Sequence, residues 1–300
     1  MKRRTFVKNS SLLAVGVGVF GNISWINGRF EGDSPTTTDI LGPFYRPGAP
    51  IRTNINPADF KGTVLNFSGV VYRDDGKTPF KNCLVEVWQC DSNGVYDNFS
   101  DDYVYRGAAK TGDDGDYHFI TTHPIPYATN EAKTTYRPAH IHMRIAGEAG
   151  DQDLITQIYF KGDSHIPEDM SASSPLAVNR ILDVTKNSKN EDVVQFNITM
   201  AKAFPLDDAS FNKLCGIYDA GKGNKMEFYR EGNVMFVKWN GQIYEGLYYK
   251  GNNTFENKMG ETTATFELSS NNPTKVKVTY PGDDNKPVTE EGTLLLKYRE

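Results

Sequence analysis

Asp-Gly and Asn-Gly turns cut most of this chain into short apolar runs, and that cadence is its strongest constraint on fold. A run too short for an amphipathic helix, and rich in Val, Ile, Tyr, Phe and Thr, buries a face most readily as a strand. Six such runs lie in the first two thirds: 65–72, 83–89, 117–121, the run from His140, 154–160 and 193–201. The turns Asp74-Asp75-Gly76, Asp91-Ser92-Asn93-Gly94 and Asp113-Asp114-Gly115 punctuate the first three. The pattern predicts an antiparallel β-sandwich, with room for a short helix only within 166–190. Three prolines and two glycines within 41–50 exclude regular structure there, so Phe44 and Tyr45 either pack on a neighbouring surface or wall a pocket.

At Phe204-Pro205-Leu206 the composition shifts. A helical piece at 209–215 leads into further runs at 226–230, 234–239, 242–249, 263–268, 275–280 and 293–298, the second and third joined by Asn240-Gly241. The chain therefore reads as all-β: a sandwich at 31–205 and a small β-meander domain at 206–300. The second region has no histidine and one cysteine, Cys215, which leaves chemistry to the first. Cys83 and Cys90 fall on opposite faces of one predicted strand, so all three cysteines are expected to be buried free thiols.

The N-terminus reads as an address. Lys2-Arg3-Arg4-Thr5-Phe6-Val7-Lys8 precedes an apolar run at 12–20 that is too short and too glycine-rich for a membrane span. The arrangement resembles a bacterial twin-arginine export signal over 1–30, which predicts an exported, periplasmic protein with no stable membrane span unless the signal stays uncleaved. A net charge of −5, with no Lys/Arg block after the first ten residues, excludes a nucleic-acid surface.

The densest chemistry lies in Arg137-Pro138-Ala139-His140-Ile141-His142-Met143-Arg144-Ile145. On a strand, His140, His142 and Arg144 share one face and Ile141, Met143 and Ile145 the other, so one face is core and the other can aim two imidazoles at one ion. Five further motifs accompany it in order: Gly42-Pro43-Phe44-Tyr45; Val85-Glu86-Val87-Trp88-Gln89 with Gly94 and Tyr96; Tyr105-Arg106-Gly107 with Thr111; Pro126-Tyr127; and 154–160 with Gly162-Asp163. Together they make residues 36–200 resemble the intradiol ring-cleavage dioxygenases, the family of protocatechuate 3,4-dioxygenase and catechol 1,2-dioxygenase, and specifically the protocatechuate-type β chain.

The resemblance implies a mononuclear non-haem Fe(III) held by Tyr96, Tyr127, His140 and His142, a ligand set that suits a hard, highly charged ion. It further implies that a small aromatic diol and O2 are the substrates, that the ring opens between the hydroxyls to a cis,cis-muconate-type product, and that one tyrosine is displaced when the diol binds. By motif, Arg137 stabilises negative charge developing on the ring and Gln157 borders the oxygen pocket. Thr129 stands where protocatechuate-type enzymes carry Trp, and no residue is marked to bind a substrate carboxylate, so catechol, a substituted catechol and hydroxyquinol stay open. Two other readings also stand: a His-His-carboxylate Fe(II) site using Asp91 or Asp97, and a non-catalytic exported β-sandwich binding module. Homo-oligomerisation is compatible with either.

Overall fold

The computed structural model describes residues 35–147, 151–203, 206–257, 260–282 and 286–298, with the backbone of two short strands, Ser24–Ile26 and Arg29–Glu31. Apart from those strands, the export signal expected at 1–30 lies outside the described residues. The chain divides into two compact units, one holding Gly48–Ile145 and Thr156–Ala201, the other Thr38–Pro47, Ala146–Ile155 and Lys202–Glu300.

The first unit is built from β1 (Val64–Tyr72), β2 (Leu84–Trp88), β3 (Arg106–Lys110), β4 (Asp116–Thr122), β5 (Tyr127–Ala128), β6 (Tyr136–Arg137), β7 (His140–Ala146), β8 (Leu154–Phe160), β9 (Ile181–Leu182), β10 (Thr185–Lys186), β11 (Asp192–Gln195) and β12 (Ile198–Thr199). One five-stranded sheet runs β9-β8-β7-β2-β3; the other runs β10-β11-β1-β12, with β4 on the opposite edge of β1. β5 and β6 form a hairpin of their own.

The all-β expectation holds, but the strands are not uniformly antiparallel. β1 runs parallel to β11 and β12, and β8 parallel to β9. A parallel pair needs a crossover and leaves no local turn signal; here the chain passes from β8 to β9 through two 3-10 turns, Ile166–Glu168 and Pro175–Arg180. The run expected as one strand at 193–201 is broken at Phe196 and Asn197, where a side chain interrupts the backbone ladder to β1 and the pairing resumes in the same register at Ile198. Asn197 Oδ1 accepts from Val70 N, and Gly69 is required where an added Cβ would lie 1.9 Å from the Phe196 carbonyl.

β7 lies between β8 and β2 and is buried on both faces. Ile141, Met143 and Ile145 are fully buried on one side, and His140, His142 and Arg144 are each 1% exposed on the other. A charge sealed this deeply needs a partner, and Arg144 Nη1 donates to Glu86 Oε2 of β2 at 2.8 Å. All three cysteines are free and buried.

In the second unit, Asp207 caps helix α1 (Asp208–Leu214) by accepting from Ser210 N. Eight strands follow: β13 (Gly216–Gly221), β14 (Asn224–Glu231), β15 (Val234–Trp239), β16 (Gln242–Gly251), β17 (Thr254–Glu256), β18 (Thr263–Ser269), β19 (Asn272–Pro281) and β20 (Pro287–Lys297). They pair in sequence and close, β20 on β13, into a barrel. Closure satisfies the edges an open meander would expose. Alternate side chains, among them Tyr218, Met226, Phe228, Met235, Val237, Leu247, Phe255 and Phe266, form its core. Asn240 (φ 49°) and Gly241 (φ 88°) make the two-residue turn that the sequence predicts, joining Trp239 to Gln242. Tyr45 is packing here: its ring stacks on Phe236 of β15 at 5.2 Å.

Candidate metal centre

Each expected ligand reaches the site by a different local device. Tyr96 lies between two turns that aspartates hold: Asp91 Oδ1 accepts from Asn93 N and Val95 N, and Asp97 accepts from the amides of Phe99, Ser100 and Val104 and from Ser100 Oγ. Burial works against the Asp97 charge, yet the Ser100 hydroxyl and these amides bring its carboxyl down to about 2. Both carboxylates thus serve their own loop. Among the described residues no three His, Cys, Asp or Glu gather to hold a metal, which removes the support for a His-His-carboxylate site. Gly94 (φ +80°) lets the first turn approach Tyr127; an added Cβ would lie 2.7 Å from the Tyr127 Cβ.

Tyr127 and Arg137 are direct cross-strand partners in the β5–β6 hairpin. Three residues on, β7 opens with His140. Its Nδ1 donates to the Pro138 carbonyl at 2.6 Å, which fixes the tautomer and turns the Nε2 lone pair inward. His142, two residues further, has its ring flat on Trp88 at 5.0 Å and 7°, and its Nδ1 has no hydrogen-bond partner among the described residues.

These devices converge. His140 Nε2 lies 3.2 Å from both Tyr96 Oη and His142 Nε2. The Tyr127 ring centroid is 5.6 Å from that of Tyr96, which it meets edge-on at 81°, and 5.5 Å from that of His140. Burial pushes both phenols up, Tyr96 well above 10, and pushes the His142 imidazole well below 6.5, assisted by His140, Arg137 and Arg106. The resting cluster is therefore two neutral phenols and a neutral imidazole beside His140. Neutral imidazole is the ligating form, and buried phenol becomes phenolate when a strong cation replaces its proton. Two oxygen and two nitrogen donors of this kind fit a hard, highly charged metal ion.

The two expected catalytic residues sit beside the cluster in a buried chain. Arg137 Nε and Nη2 donate to Asp169 Oδ2 and Oδ1 at 2.9 and 3.3 Å, and Nη2 also lies 3.3 Å from Tyr159 Oη. Tyr159 Oη in turn donates to Gln157 Oε1 at 3.2 Å, and the Gln157 carbonyl accepts from Arg180 Nη1. The Tyr159 ring is 6.0 Å from His140, so Gln157 meets the cluster through Tyr159. Sequence reasoning missed Tyr159 and Asp169. Tyr159 was within reach, two residues from Gln157 on the same strand face. Asp169, 32 positions from Arg137, carried no local signal.

Comparison with known proteins follows the same segment. Residues 40–207 match the family described as "Dioxygenase". Over 190 residues the chain is 33% identical to a chlorocatechol 1,2-dioxygenase of Rhodococcus opacus, covering 55% of this chain and 72% of that one. It is 33% identical over 162 residues to a catechol 1,2-dioxygenase of Acinetobacter lwoffii, covering 47% of this chain and half of that one. Its fold matches the crystal structure of 3-chlorocatechol 1,2-dioxygenase from Rhodococcus opacus with a TM-score of 0.50 and 26% identity, over 57% of this chain and 74% of that one.

Proposed function

This chain belongs to the intradiol ring-cleavage dioxygenase family, and from that premise we propose that it opens a catechol ring between the two hydroxyls with O2, giving a cis,cis-muconate-type product. The observation that carries the reading is the buried convergence of Tyr96 Oη, His140 Nε2 and His142 Nε2 at 3.2 Å, with Tyr127 against them. Tyr96, Tyr127, His140 and His142 would hold a mononuclear Fe(III), whose contribution when bound is Lewis acidity toward the two diol oxygens and activation of the ring toward O2. The chain supplies the rest. Tyr127, a phenolate when it holds the ion, would accept a diol proton at Oη, and burial favours the neutral phenol that results. Arg137, held opposite Tyr127, directs an N–H at negative charge developing on the ring. Burial of the cluster excludes bulk water, which strengthens both effects.

The substrate is a catechol without an ionised ring substituent. Arg137 is compensated by Asp169 and Arg144 by Glu86, so neither presents a net charge to a ring carboxylate. Thr129, in the hairpin loop, hydrogen-bonds Thr135 at 2.6 Å and leaves a smaller wall than Trp would. A non-catalytic binding module has no evident use for three buried donors and a half-buried fourth brought together. Twin-arginine export, resting on residues 2–20, completes the reading, and fractionation of expressing cells tests it.

The purified protein should bind iron, absorb in the visible through phenolate-to-iron charge transfer, and consume O2 with catechol faster than with a carboxylated catechol. A colourless, iron-free protein without catechol turnover sinks the proposal. Product spectra separate cleavage between the hydroxyls from cleavage beside them.

A further inference from the structure

Arg137 stands in a strand two residues long, which has little backbone hold of its own, so side-chain contacts must set where its guanidinium points. Asp169 makes the closest of these contacts. It follows the 3-10 turn Ile166–Glu168, is 4% exposed, and is fixed from its own side: Oδ1 accepts from Ser171 N at 3.0 Å and Ala172 N at 2.7 Å. The carboxylate would therefore keep its place without the arginine. Arg137 meets it side-on through Nε and Nη2, and Tyr159 takes Nη2 as well. A side-on fork turns one edge of a planar guanidinium to the carboxylate and leaves Nη1 on the other. Tyr127, the direct cross-strand partner of Arg137 and so on the same face of the hairpin, marks the direction of the metal cluster. A buried ion pair is weak evidence for stability but a strong constraint on geometry.

We propose that Asp169 is the positioning residue for Arg137: anchored by two backbone amides, it fixes the guanidinium plane so that the edge opposite the carboxylate is the one offered to the bound catechol. The inference rests on the dioxygenase reading above. Asp169 touches no substrate and acts through Arg137.

The test is O2 consumption with catechol by the full-length, iron-loaded protein, alongside iron content and the visible band. Asp169→Asn keeps an oxygen for the two amides but removes the charge and one arm of the fork. It should lower kcat by roughly 10- to 100-fold, the scale of a misplaced catalytic group, with KM little changed and both iron content and visible band retained. In an Arg137→Gln background the same substitution should have no further effect, because the residue through which it acts is gone. Arg137→Lys keeps the charge without the fork and should fall as far as Arg137→Gln; this comparison decides the matter if Asp169→Asn fails to fold. Losses that multiply in the double variant, a loss confined to KM, or near-normal turnover by Arg137→Lys would each overturn the role of Asp169. A wild-type protein that turns over no catechol overturns the functional reading, and this inference with it.

Discussion

Arg144 is the third residue on the ligand face of β7, and replacing it tests how that face tolerates charge. Its Nη1 donates to Glu86 Oε2 at 2.8 Å, and the two side chains are only 1% and 5% exposed. At an effective dielectric near 20, opposite charges at that distance attract by about 6 kcal/mol. Withdrawing each ion from water costs several kcal/mol, so the intact pair nets close to zero. Arg144→Met removes the attraction while leaving Glu86 charged in a dry site, at a cost of about 3–5 kcal/mol. Against a total stability of about 5–15 kcal/mol that is a large fraction. At about 2–4 °C per kcal/mol for a unit of this size, it lowers the melting temperature by roughly 6–20 °C. Replacing Glu86 by Leu in the same chain removes the buried carboxylate that has lost this arginine and should restore most of the loss. Urea unfolding followed by tryptophan fluorescence, with Trp88 on the strand that carries Glu86, measures all three proteins. A loss under about 1 kcal/mol in Arg144→Met, or a double variant no more stable than the single, refutes the reasoning.

Other outcomes follow from the same geometry. Gly94→Ala forces a positive-φ position and drives a Cβ to 2.7 Å from Tyr127, so it should cost about 1–3 kcal/mol and weaken the visible band together; a stable, fully coloured variant would contradict the close approach. Trp88→Leu removes the ring that orients His142 and should speed iron loss to a chelator, measured as decay of the visible band. Tyr127→Phe should abolish or severely reduce catechol turnover, and unchanged turnover would show that a different tyrosine is required. The Asp97 carboxyl is depressed from 3.8 to about 2, so its contribution is full above pH 4 and lost as pH falls toward 2. Urea unfolding at pH 5 and pH 2.5 should therefore show a smaller acid loss for Asp97→Asn than for wild type.

Much of this protein was legible in the order of its residues, because the signals concerned are local. Alternation placed His140, His142 and Arg144 on one face of β7, and Asn240-Gly241 dictated its hairpin, since both depend only on backbone geometry within a few residues. The resemblance to the dioxygenase family, carried by its motifs, named Tyr96 and Tyr127 as partners of the histidines. Pairing across long separations had no such signal. The parallel alignment of β1 with β11 and β12, the closure of β20 on β13, and the choice of Glu86 as counter-ion for Arg144 are decided by which surfaces meet after folding. The setting of Arg137 shows the division most clearly. Its place beside Tyr127 follows from a short hairpin, but the direction of its guanidinium belongs to Asp169, brought from 32 residues away by the packing that buries both. Local chemistry selected the groups, and desolvation in the folded interior determined which of them had to find one another.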